Sequence, residues 1–140
     1  MNRINIIRKL LLSSVTAVVL QLSLFTSCRN ELTPEEQASL AAKGYYEHLA
    51  TGEYDKYLEG VSGTKDAPAD YTEQLRASAK QYAVRLKQLH QGIETIEVRS
   101  ARNDTTLHCM EVFLLLHFAD ATSEEICVPM VQQDGRWLLK

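Results

Sequence analysis

Nothing in this sequence gathers a metal, cradles a phosphate or presents an activated serine. His48, His90, His108 and His117 share no helical or hairpin spacing that would bring them to one ion, the ligand pattern of a zinc site is missing, and no cofactor is expected. There is no glycine-rich phosphate loop and no serine elbow. His108 and Cys109 adjoin, but neighbours on a strand face opposite ways, so they cannot serve as base and thiol nucleophile. Internal repeats, low-complexity tracts and blocks of like charge are also missing. The basic residues number 15 against 18 acidic ones, and three of the 15, Arg3, Arg8 and Lys9, fall in the first 27 residues. The remainder carries a formal charge of −6 (12 basic, 18 acidic), which disfavours nucleic acid, whose binding rests on clustered Lys and Arg.

What is present begins at the N-terminus. Arg3, Arg8 and Lys9 form a positive segment, followed by an apolar run from Leu10 to Phe25 interrupted by Ser13, Ser14, Thr16, Gln21 and Ser23. A permanent spanning helix wants about 20 mostly apolar residues, so a removable segment fits better. Small Thr26 and Ser27 then lead into Cys28. Residues 1–27 followed by Cys28 resemble a bacterial lipoprotein signal. That resemblance implies cleavage before Cys28, a diacylglycerol thioether on its sulfur and attachment of the chain to a membrane, which two or more acyl chains make stable. Arg29 stands where an Asp would signal inner-membrane retention, so by the same resemblance the outer membrane of the cell envelope is the expected destination. Residues 28–32 are the lipidated cysteine and a short tether, and 33–140 make one domain.

Thr33-Pro34-Glu35-Glu36 reads as a helix start, with Thr33 as cap and Glu36 as its capping-box partner. Ala38, Ala41, Ala42, Tyr45 and Leu49 recur at helical spacing, and Gly52 supplies the stop. A short second helix is expected over Glu53–Glu59, with Tyr54, Tyr57 and Leu58 inward. Val61–Ala69 holds Gly63 and Pro68 and reads as a loop. Asp70 is expected to cap a long third helix with Tyr71, Leu75, Ala79, Tyr82, Leu86 and Leu89 as its apolar stripe and Gly92 at its end.

From Ile93 the period changes to two. Ile96 and Val98 alternate with Glu97 and Arg99, and Asn103-Asp104 marks a turn. Met110, Val112, Leu114, Leu116 and Phe118 share one face of a strand over Leu107–Phe118. After a turn at Asp120–Ser123, Ile126, Val128 and Met130 continue that face. Asp134-Gly135 is a two-residue hairpin signal, which pairs Gln133 with Arg136, Gln132 with Trp137 and Met130 with Leu139. The fold class is therefore α+β: N-terminal helices packed on a four-stranded antiparallel meander.

Three helices, then a curved sheet closing on Val131-Gln132-Gln133-Asp134-Gly135-Arg136-Trp137, resemble the nuclear transport factor 2-like, or cystatin-like, cone. Gly44-Tyr45-Tyr46 to Leu49, then Gly52-Glu53-Tyr54-Asp55-Lys56, is similar to the first-helix and turn pattern of small bacterial lipoproteins of unknown function with that fold. The resemblance implies a pocket between helices and sheet, with Tyr45, Tyr82, His108 and Trp137 as candidate lining and His108, Ser100 and Gln132 as the inward polar groups of the strands. Catalytic relatives place acids and bases there. Glu97 and Glu111 point outward by alternation, so no acid/base pair assembles from the strands and no catalytic residue carries over. The expected function is non-enzymatic: a membrane-anchored envelope lipoprotein binding a partner protein or a small ligand. The alternative is a ketosteroid isomerase- or dehydratase-like enzyme whose pocket is lined by helix residues.

The outward positions of the sheet are unusual for a solvated face. Leu107, Cys109, Glu111, Phe113, Leu115 and His117 on one strand, with Cys127, Pro129 and Val131 on the next, include several apolar side chains where polar ones are usual. Phe113, Leu115 and Val131 form a candidate interface, for a homodimer or another envelope protein. Cys109 and Cys127 are expected to stay unpaired, because a register with Cys127 opposite Leu115 or His117 sets them far apart.

Overall fold

Thr33 opens the first helix by reciprocal bonds. Its hydroxyl accepts the Glu36 amide (3.2 Å) and the Glu36 carboxylate accepts the Thr33 amide (2.8 Å), satisfying two donors that a helix start leaves free. In the computed structural model, which describes residues 31–140, helix α1 runs Pro34–Thr51 and stops at Gly52, whose φ of 79° is left-handed. Ala38, Ala42 and Leu49 are buried along it. Helix α2, Tyr54–Glu59, buries Leu58 and sets Tyr57 against the core. The predicted signal segment and Cys28 lie outside the described residues. Among the described residues no helix is long and apolar enough to cross a membrane.

Helix α3 runs Ala69–His90 and departs from expectation at both ends and along its stripe. Its cap position is Pro68, without a side-chain bond. Asp70 instead sits inside the first turn, where its charge favours the helix dipole. The stop falls at Gln91 (φ 65°), one residue before Gly92. Of the predicted apolar stripe only Ala79 and Leu86 are buried, while Tyr71, Tyr82 and Leu89 are exposed. The reason is tertiary. Helix α1 occupies the sheet, touching all four strands, and α3 packs chiefly on α2, less on α1 and least on β1. A helix of 22 residues is about 33 Å long, more than the seat left to it. Its C-terminal end is nonetheless fixed: the His90 ring stacks on Phe118 at 4.4 Å, and His90 Nδ1 lies 3.1 Å from Asp120 Oδ2.

Strands β1 (Ile93–Asp104), β2 (Cys109–Phe118), β3 (Ser123–Gln133) and β4 (Arg136–Leu139) form an antiparallel sheet in chain order. Its inner face carries Met110, Val112, Leu114, Leu116, Phe118, Val128, Met130 and Leu139, which pack with Ala38, Ala42, Leu86 and Ile96 into one core. Asp134 and Gly135 take φ of 50° and 74°, as a two-residue turn between twisted strands requires. The three pairings expected across that turn are all present. Beyond β4, Val61 adds a one-residue parallel bridge to Leu139: Leu139 N donates to Gly60 O (2.7 Å) and Ser62 N to Leu139 O (2.8 Å).

Three strand assignments change. First, β2 starts at Cys109, because Asp104 Oδ1 accepts both the Thr106 and Leu107 amides (2.8 Å each) and holds Leu107 and His108 in the preceding turn. Second, the register slips between Val98 and Ser100. Arg99 is the extra residue of a bulge, so Ser100 pairs with Phe113 and faces outward, and Ala101 takes the inward place opposite Val112. Third, Cys127 lies opposite Phe113 rather than Leu115 or His117. Asp120 Oδ1 bonds the Thr122 amide and hydroxyl, with Ala121 at φ 66°, which makes that reversal tighter than expected.

Cys127 is therefore four residues of strand from Cys109, roughly 13 Å at about 3.3 Å per residue, against a Cα limit of about 7 Å for a disulfide. Among the described residues both are free cysteines. Thiol titration of the unreduced, denatured domain should return both thiols; a monomer with neither would overturn the register.

Candidate functional site

The side chains expected to line one pocket are divided between several places in the structure. Tyr45 and Trp137 do come together: Tyr45 Oη donates to the Trp137 carbonyl at 3.0 Å. The Trp137 indole N–H is buried with no hydrogen-bond partner among the described residues. His108, expected in this pocket, is instead exposed in the β1–β2 turn at φ 51°. Gln132 is also exposed, and Ser100 is on the other face of the sheet. Tyr82 belongs to a different group, with Tyr46 and Tyr57, whose rings meet edge to face at 6.1 Å. Burial first, then the neighbouring phenols Tyr57 and Tyr82, pushes the Tyr46 hydroxyl up; burial and then Tyr82 raises Tyr57, and burial and then Glu124 raises Tyr82. These phenols stay protonated and can only donate or accept hydrogen bonds at neutral pH. Tyr46 and Tyr57 were missed as a pair. The signal was there for Tyr46, which lies four residues after buried Ala42.

A groove of about 520 Å³ runs between α2, the loop after it, the start of α3 and the β3–β4 turn. Leu58, Val61 and Leu138 give it apolar surface, and Glu59, Lys65, Asp134 and Arg136 line it with both signs of charge. Sequence reading missed it, because four separate segments build it.

The outer face of the sheet lies opposite the helices. Phe113, Leu115, Val131 and Leu138 are half-buried there, Cys127 and Pro129 exposed, and strand pairing sets Phe113 beside Cys127 and Val131 beside Leu138. At one end Lys140 Nζ reaches across to the Leu107 carbonyl (2.8 Å), and Cys109 beside this strap is buried. The Arg102 guanidinium lies 5.2 Å from the Phe113 ring centroid while its Nε donates to Glu111 (2.6 Å), a cation over an aromatic face held by a carboxylate. Towards the other end, Glu97 accepts from Arg99 at 3.0 Å and lies 3.3 Å from His117 Nε2, and these hydrogen bonds hold its carboxyl below the usual range. Burial, then Glu111, pushes the Cys127 thiol up, which keeps it a poor nucleophile. Leu115 and Phe113 on β2, Cys127, Pro129 and Val131 on β3 and Leu138 on β4 thus form a strip rather than one cluster: Phe113, opposite Cys127, is four strand residues from Val131, roughly 13 Å at about 3.3 Å per residue, and the Arg102–Glu111 pair lies beside the strip between them.

By sequence the chain matches no protein-family model and no curated protein. By structure it is similar to a crystal structure from Campylobacter jejuni, provisionally named an NTF2-like transpeptidase, with a TM-score of 0.56 at 14% identity over 70% of this chain and 92% of that one. The likeness is one of fold: helices followed by a curved four-stranded antiparallel sheet, the NTF2-like α+β cone.

Proposed function

We propose that this chain is a cell-envelope lipoprotein, held to the outer membrane through Cys28, whose cone domain is a docking module rather than an enzyme. The observation that carries this reading is the outer sheet face, where a half-buried apolar strip runs from Leu115 and Phe113 through Cys127 and Pro129 to Val131 and Leu138, with charged residues along its sides. That is the anatomy of a protein interface, and contiguous apolar surface on a monomer usually marks an interaction site. A second copy is the favoured partner. Glu125 lies at the β2–β3 end of the face and Arg136 at the β3–β4 end, so two copies overlaid head to tail bring opposite charges together.

Light scattering on the chain without residues 1–28 should give twice the monomer mass. Phe113→Lys with Val131→Lys should give a monomer of near-unchanged melting temperature. Each desolvated lysine is expected to cost at least about 1.4 kcal/mol, tenfold in Kd, so the pair should weaken association by about a hundredfold or more. A monomer for the parent chain, with no partner lost in the variant, would sink the proposal.

The second reading, a small-ligand site or an enzyme within the cone, is favoured by the unpartnered indole N–H of Trp137 and by the Tyr46, Tyr57 and Tyr82 hydroxyls. A ligand there would be one that accepts hydrogen bonds and is otherwise apolar.

A further inference from the structure

We infer that the N-terminal end of α1 is a bilayer-contact site, at which Leu32 and Leu40 rest on a zwitterionic phospholipid surface. This rests on the lipoprotein reading of Cys28.

A groove of about 420 Å³ runs between α1 and β1, with Leu32, Leu40, Val98 and Ala101 as its apolar lining. Its two leucines project: Leu32 is 48% and Leu40 56% exposed. Leu32 is also fixed in place, since Gln37 Nε2 donates to its carbonyl at 2.7 Å and the next amide, Thr33 N, is bound by Glu36. The chain therefore leaves the domain at a defined point, beside the groove. From Cys28 to Leu32 is four residues, at most about 14 Å when fully extended. An acyl anchor on Cys28 thus holds this end of α1 within that distance of the lipid, whatever the orientation of the rest. Two exposed leucines so placed gain by entering the boundary between headgroups and acyl chains, the depth at which amphipathic surfaces settle. The acidic residues alongside, Glu31, Glu35 and Glu36, select the kind of surface: headgroups without net negative charge, because an anionic leaflet would repel them. The outer sheet face belongs to the opposite side of the sheet from α1, so this contact leaves it clear of the bilayer.

The test uses the full-length lipidated protein with Cys127→Ser, reconstituted in zwitterionic vesicles that carry a shallow spin-label quencher. An environment-sensitive fluorophore is placed at Leu40→Cys in one sample and at Glu125→Cys in another. Quenching at position 40 should exceed that at 125 by at least about threefold and fall when anionic lipid is added. The same samples are floated on a density gradient. If the protein floats but the two positions are quenched equally, the contact is overturned and the anchor stands. If it does not float, the anchor fails and the contact with it.

Discussion

Cys28→Ser is expected to abolish lipid attachment and to leave the precursor uncleaved. The effect is expected to be all or none, because the thioether is formed on a sulfur and a serine hydroxyl at neutral pH is far less nucleophilic than a thiolate. Without acyl chains nothing else in the described residues offers a strong hold, since none of their helices can span a bilayer and two exposed leucines are much weaker than two acyl chains. Metabolic labelling with a fatty acid, followed by membrane fractionation, reads both consequences. Cys109→Ser and Cys127→Ser should keep the label, which separates loss of the acceptor from general loss of a thiol. Undiminished label in the Cys28 variant would falsify the lipoprotein reading.

The second large effect lies in the domain itself. Gly60→Ala should destabilise the fold by about 3 kcal/mol, the upper part of the usual overpacking range, and lower the melting temperature by roughly 10–15 °C for a domain of this size. The backbone is not the cause, since Gly60 has φ −86°, open to any residue. The cause is space: a Cβ there would stand 2.3 Å from Cδ1 of the Tyr45 ring. The ring is not free to move, because its hydroxyl is bonded to the Trp137 carbonyl, and Gly60 is held from the other side by its own bond from Leu139 N. Gly44 is the natural control. It sits inside α1 with none of the described residues within 4 Å of a Cβ, so Gly44→Ala should stabilise by about 0.5–1 kcal/mol. Tyr45→Leu combined with Gly60→Ala should cost less than the sum of the two single changes, a coupling that a double-mutant cycle measures. A Gly60→Ala melt within error of the parent's would show that the Tyr45–Gly60 contact is wrong.

Those two predictions differ in how they could be reached. The box around Cys28 is read from consecutive residues, and no coordinate contributes to it. The contact at Gly60 joins a residue after α2 to a ring in α1 and to a carbonyl in β4, and no periodicity announces it. The same division runs through the site. Phe113 and Leu115 could be placed on the outer face because strand alternation is a local rule and β2 obeys it without interruption. Ser100 faces outward, against the alternation that starts at Ile96, because one bulge at Arg99 reverses it for the rest of β1. His108 was lost from the pocket because the side chain of Asp104 extends the turn by two residues.

What the sequence determined by itself was whatever a few neighbouring residues decide: the capping box at Thr33, the stop at Gly52, the turn at Asp134-Gly135 with the pairing it sets, and the two-residue period that makes Met110 to Phe118 a half-core strand. Tertiary structure decided the rest. Helix α3 carries a helical stripe of apolar residues, yet it keeps Tyr71, Tyr82 and Leu89 exposed, because burial depends on how much surface the other elements leave. Helix α1 takes the surface of all four strands, and α3 packs chiefly on α2. The groove beside Leu138 and the meeting of Tyr46 with Tyr57 likewise exist only where segments distant along the chain are packed together. Backbone hydrogen bonding and turn chemistry act over a handful of residues, whereas packing competes for one shared surface, and the outcome of that competition is written in no single stretch of the chain.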